Sequence, residues 1–80
     1  MRYVYLLQSE SFPKQRYIGS TGDFERRLRE HNSGRSKYTA RFKPWKPILV
    51  IAFSDELKAV AFEVYLKSGS GHAFSARHFW

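Results

Sequence analysis

Apolar residues in this chain come in short runs, and their spacing changes from alternation to helical periodicity and back. Residues 2–8 are rich in Tyr, Val and Leu and predict a first strand. A polar connection over residues 9–15 contains Pro13, and residues 16–19 predict a second short strand. So short a connection predicts an antiparallel hairpin. Phe24, Leu28 and His31 then recur at helical spacing behind Asp23, an N-cap residue, with Glu25 in the first turn. Gly34 is the expected stop. Residues 36–42 read as a short helix or turn. Pro44 and Pro47 bracket Trp45 and are expected to break any regular element there. Residues 48–53 are nearly all apolar and predict a central strand covered on both faces. Ser54 is the expected cap of a last helix running to about residue 67. Leu57, Val60, Ala61 and Val64 mark its expected buried face. The Ser68-Gly69-Ser70-Gly71 segment breaks that helix, and residues 72–80 read as a short tail. The order β-β-α-(α)-β-α makes the fold α+β, a single domain over residues 1–80.

Composition narrows the function. A chain of 80 residues buries only roughly 60% of its unfolded surface, so large aromatic rings, 18% of this sequence, are an efficient filling for a thin core. The absence of cysteine excludes disulfides, thiolate zinc sites and a cysteine nucleophile. The longest apolar run is too short to span a bilayer, and the N-terminus turns charged at once, so a soluble intracellular protein is expected. The net charge is +7 and the pI about 10.1. Between residues 26 and 46 lie Arg26, Arg27, Arg29, Arg35, Lys37, Arg41, Lys43 and Lys46, opposed by Glu30 alone. A one-sided basic stretch suits a polyanion. Tyr38, Phe42 and Trp45 are interleaved with it and can pack against sugars or bases. Nucleic acid is therefore the expected partner, held through Arg26, Arg35, Lys37, Tyr38, Arg41, Lys43 and Lys46. An anionic membrane would call for a wide apolar helix face, which the sequence does not show.

A few residues carry candidate chemistry. Tyr3 and Tyr5 share one face of the first strand, and Tyr17 can stand opposite on its partner. Tyrosines in strands most often only pack and hydrogen-bond. Gly19 would let a backbone or a phosphate approach closely. Arg27 stands three residues after Phe24 and four before His31, so all three share a face turned to the sheet. A cation there needs an anionic partner, either a substrate phosphate or Glu63. His31 can move a proton near neutral pH, or serve as a core histidine bonded to a carbonyl. Glu63 is a lone carboxylate among Ala59, Val60, Phe62 and Leu66. It reads equally as an ion pair with Lys67 or as a ligand for Mg²⁺, which keeps much of its hydration shell.

Together these residues resemble the GIY-YIG nuclease superfamily. Tyr3-Val4-Tyr5 and Tyr17-Ile18-Gly19 stand where its two motifs would be, the helix from Asp23 to His31 where its arginine-bearing helix would be, and Glu63 where it places a metal-binding glutamate. The likeness is nearest to small single-domain bacterial members, through Glu30-His31-Asn32, Lys37-Tyr38-Thr39, Pro44-Trp45 and Leu66 to Gly71. It implies a three-stranded antiparallel sheet flanked by helices and a bacterial cytoplasmic setting. It implies one divalent metal on Glu63, Mg²⁺ or else Mn²⁺. It also implies catalysis by Tyr5 or Tyr17 with His31, and charge neutralisation by Arg27. Two departures stand out. The first motif begins with Tyr rather than Gly, and no asparagine follows Asn32. Larger members carry a separate DNA-binding domain, so here the basic stretch is expected to supply affinity, with partner proteins for targeting.

The expected activity is metal-dependent endonuclease cleavage of phosphodiester bonds, in DNA rather than RNA, in repair or processing. The alternative is a nucleic-acid-binding module that keeps the scaffold without turnover.

Overall fold

A computed structural model describes residues 1–80. Three strands, β1 (Arg2–Ser9), β2 (Arg16–Thr21) and β3 (Trp45–Phe53), form an antiparallel sheet in the order β2-β1-β3. Four helices, α1 (Phe24–Ser33), α2 (Lys37–Ala40), α3 (Glu56–Leu66) and α4 (Gly69–His78), complete an α+β fold.

The central strand is β1. Successive side chains of a strand point to opposite faces, and Val4, Tyr5, Leu6 and Leu7 are all buried, so both faces of β1 are covered. Val4 and Leu6 pack with Ala59 and Leu66, joined by Ile18, Leu49, Phe53, Phe62, Phe79 and Trp80. Tyr5 and Leu7 pack on the other side with Trp45, Tyr17, Phe24, Leu28 and Phe42. The sheet thus separates a core under α3 from one under α1.

Five expectations change. Residues 48–53 do not form the central strand: they belong to the edge strand β3, where Ile48 and Val50 are exposed. Pro47 does not break β3, because an edge strand tolerates a residue without an N–H. The pairing steps from Leu6↔Leu49 to Leu7↔Pro47, which leaves Ile48 as a bulge beside the proline. The cap of α3 is Asp55, not Ser54, its carboxylate accepting from the Leu57 and Lys58 amides. The inward face of α3 is Ala59, Phe62, Glu63 and Leu66, whereas Leu57 is 82% and Val64 64% exposed. That helix is apolar nearly all round, so periodicity could not choose its face. Finally, residues 72–80 are no loose tail. Ser68 accepts from the Gly71 amide and starts α4, so the segment that ends one helix begins the next.

α1 follows the expectation at both ends. Asp23 accepts from the Arg26 amide, and Gly34 closes the helix at φ 88°, a conformation that suits glycine. No helix is long and apolar enough to cross a membrane.

Gly71 lets α4 turn back against α3. A Cβ at this position would run into the Tyr65 carbonyl and Leu66 Cα, whereas one at Gly69 meets open space. In urea unfolding, Gly71→Ala should lose about 1–3 kcal/mol. Gly69→Ala should be neutral or gain up to about 1 kcal/mol. Equal midpoints for the two variants would contradict this packing.

Candidate active site

Tyr5 and Gly19 are cross-strand partners. The Tyr5 ring lies over Gly19, and any Cβ there would collide with the phenol. The bare glycine therefore sets where the Tyr5 hydroxyl goes. It lies 3.0 Å from His31 Nε2, and His31 Nδ1 lies 2.7 Å from Thr39 Oγ1. His31 and Thr39 are both wholly buried. Thr39 Oγ1 also faces the Ser36 carbonyl at 3.4 Å. The network is satisfied when the threonine donates to that carbonyl, Nδ1–H donates to the threonine, and Nε2 accepts from Tyr5.

The Tyr17 ring meets His31 edge-on, with centroids 4.8 Å apart, and lies 6.2 Å from the Tyr5 ring. Arg27 stands one turn before His31 on α1. Its guanidinium donates to Glu30 Oε1 at 3.0 Å, and Arg26 Nε donates to Glu30 Oε2 at 3.3 Å. The anionic partner of Arg27 is therefore Glu30, three residues along the same helix, rather than Glu63.

Burial dominates the protonation of the pair. It pushes the Tyr5 phenol up to about 12, partly offset by the nearby Arg27 guanidinium. It pushes the His31 imidazole down to about 4, and the Arg27 charge pushes the same way. Glu30 is held below the usual carboxylate range, first by its hydrogen bond from Arg27. At neutral pH the centre is a neutral phenol against a neutral imidazole, with a charged guanidinium beside them.

Glu63 comes from the other side, on α3. Its Oε2 accepts from Lys67 Nζ at 3.0 Å, the ion pair that the spacing allowed. Its negative charge is felt at Tyr5, whose phenol it helps to push up. No three His, Asp or Glu side chains converge, so a cage built wholly from protein ligands is not available. A lone carboxylate with one oxygen outside the lysine pair fits a cation that keeps most of its water, which is the habit of Mg²⁺.

The basic residues are dispersed. Arg26 and Arg35 line a shallow depression with Arg29 and Glu30. Lys37, Arg41, Lys43 and Lys46 are exposed on α2, the following turn and the edge of β3. Tyr38 alone of that set stands near the cluster, its ring 6.2 Å from that of Tyr17. Three supporting residues escaped the sequence reading of the site: Thr39, Glu30 and Asn32. Asn32 Oδ1 accepts from the Trp45 amide at 2.6 Å and its Nδ2 donates to the Trp45 carbonyl at 3.1 Å, fastening α1 to β3. The available signals were the Glu30-His31-Asn32 string, three polar residues at the end of a helix that must turn partly inward, and the Lys37-Tyr38-Thr39 string.

The family model described as the GIY-YIG catalytic domain matches residues 1–74. The chain is 43% identical over 82 residues to the structure-specific endonuclease subunit SLX1 of Scheffersomyces stipitis, covering 94% of this chain and 23% of that protein. It is 37% identical over 65 residues to an SLX1 homolog of Giardia intestinalis, covering 76% of this chain and 18% of that one. The chain thus spans about a quarter or less of these relatives. The solution NMR structure of the UPF0213 protein BH0048 from Bacillus halodurans is similar at 30% identity and a TM-score of 0.56, over 96% of this chain and 84% of that one.

The buried imidazole gives a pH prediction. His31 has a folded pKa near 4, below the roughly 6.5 of an unfolded histidine, so the unfolded chain binds more protons between those values. Its stabilising contribution is complete above about pH 6.5 and declines as pH falls, by about 2 kcal/mol at pH 5. An NMR titration should find the His31 ring neutral at pH 5.5. A midpoint near 6.5 would contradict the buried neutral pair.

Proposed function

This chain belongs to the GIY-YIG catalytic domain family, and from that premise we propose that it hydrolyses phosphodiester bonds in DNA as a divalent-metal-dependent endonuclease. The observation that carries the reading is the Tyr5 hydroxyl, hydrogen-bonded to a neutral, buried His31 and flanked by Tyr17 and Arg27. Water attacks phosphorus while Tyr5 takes its proton and passes its own to His31 Nε2, which is already its acceptor; the P–O bond opposite the attacking water breaks, and the leaving sugar oxygen takes a proton from solvent. Tyr17, edge-on to the same imidazole, is the second candidate for that proton. Arg27 neutralises charge gathering on the phosphate oxygens. Glu63 would hold the cation, Mg²⁺ or else Mn²⁺, which when bound supplies phosphate polarisation and a more acidic water. Even with the Arg27 charge beside it the phenol sits at about 12, so it stays protonated at neutral pH and acts as a relay, losing its own proton to His31 as it takes one from water.

The matched relatives are named as subunits of a structure-specific endonuclease, which supports a branched DNA substrate, a role in repair or processing, and a protein partner for targeting. The small bacterial members that the chain resembles support a bacterial cytoplasmic setting. The exposed cations Arg26, Arg35, Lys37, Arg41, Lys43 and Lys46, with Tyr38, would supply affinity with little sequence selectivity.

A second reading is a binding module without turnover. The Lys67 ion pair on Glu63 favours it, as does the lack of an asparagine after Asn32.

One assay separates the two: labelled single-stranded, duplex and branched DNA, and RNA, incubated with Mg²⁺, Mn²⁺ or chelator. The expected result is metal-dependent cutting, strongest on branched DNA. Glu63→Ala should lose cutting while still binding substrate, and Arg27→Ala should slow it about 10²–10³-fold. A wild-type rate in Glu63→Ala would remove that residue from the mechanism. Salt-sensitive binding with no product from any substrate would establish the binding module.

A further inference from the structure

A groove of about 740 Å³ opens beside the tyrosine cluster. Tyr17 forms the wall shared with that cluster. The rest of its functional lining comes from segments far apart in sequence: Lys14 before β2, Arg16 at its start, Tyr38 on α2, Lys67 after α3, and His72 and Trp80 on and beyond α4. No acidic side chain lines it. The Arg16 guanidinium lies 4.6 Å over the Trp80 ring, so cation and indole form one platform. Tyr38 is 60% exposed, its ring near that of Tyr17. At the α3 end, Lys67 joins the groove to Glu63.

Cations interleaved with accessible rings hold an unpaired strand, with phosphates on the cations and base faces on the rings. In a duplex the base faces are already stacked on the neighbouring pairs, so it offers mainly backbone to such a surface. The volume lies in the range of small-ligand sites, roughly 300–1,000 Å³, enough for one or two nucleotides. We propose that this groove binds an unpaired DNA arm next to the bond being cut, an inference that rests on the nuclease reading of the Tyr5–His31 centre. The basic stretch of residues 26–46 contributes only Tyr38 to the groove; its cations come from elsewhere in the sequence. Recognition of the arm and general affinity for duplex therefore use different cations and share only Tyr38.

The test compares the equilibrium affinity for a fluorescent duplex bearing an unpaired thymidine arm with that for the same duplex blunt-ended, in chelator so that nothing is cut. The wild-type protein should bind the armed duplex about tenfold more tightly. Lys14→Gln with Arg16→Gln should reduce that ratio to below about threefold. A ratio near one in the wild type, or an undiminished ratio in the double variant, would overturn the proposal. An independent readout needs no substitution at the cations. Trp45 is buried with its indole N–H bonded to the Thr39 carbonyl, so Trp80 is the accessible fluorophore. Oligothymidine should quench its emission, and Trp80→Phe should abolish the quench. Unquenched wild-type emission at saturating oligothymidine would count against the groove. Cleavage of the armed duplex with Mg²⁺ separates the two readings. Cutting with a ratio near one removes the groove and keeps the nuclease. A tenfold ratio without cutting keeps the groove and removes the nuclease.

Discussion

Tyr5 can lie across the sheet only because its cross-strand partner has no side chain. Everything at the site depends on that contact. It aims the phenol at His31, which must then be buried deeply enough to meet it. A buried imidazole needs a second partner, and Thr39 on α2 supplies it. The Thr39 carbonyl in turn holds the Trp45 indole, and Asn32 holds the Trp45 backbone, so α1, α2 and β3 lock around one tyrosine. One glycine in an edge strand thus fixes the geometry of three other elements.

This is an expensive arrangement for 80 residues. Each buried polar atom costs free energy unless it is satisfied. The phenol, both imidazole nitrogens and the threonine hydroxyl all have partners; the one buried side-chain oxygen without any is Ser75 Oγ, on α4. The charged groups stay nearer solvent, where Arg27 can rest on Glu30. The result is a polar centre held neutral inside and cationic at its rim, suited to receiving an anion.

Much of this was legible in the sequence where local chemistry decides. Asp23 and Gly34 bound α1 because capping acts within a turn. Tyr5, Tyr17, Arg27 and His31 come together because strand alternation and helical spacing point them the same way. Non-local choices were hidden. Residues 2–8 and 48–53 are both apolar runs, and only the pairing makes β1 central and β3 an edge. The apolar surface of α3 gave no preferred face, so Leu57 and Val64 lie outside while Glu63 turns inward. The Ser-Gly repeat reads as a stop, yet Ser68 starts α4 and Gly71 gives it room. The groove was invisible for the same reason, its lining being gathered from five segments.

The proposed function rests on a phenol, an imidazole and a guanidinium on one side of the sheet, with a carboxylate on α3 whose charge reaches the phenol. The proposed hydrolysis would give this set a chemistry, and the hydrogen bond between Tyr5 and His31 would give the proton a direction. The most direct test is the single-turnover cleavage rate of Tyr5→Phe at saturating protein, with folding checked by circular dichroism. If Tyr5 is the group that takes the proton, the rate falls about 10²–10⁴-fold while the fold persists. A folded Tyr5→Phe protein cutting within about twofold of the wild-type rate would contradict the account.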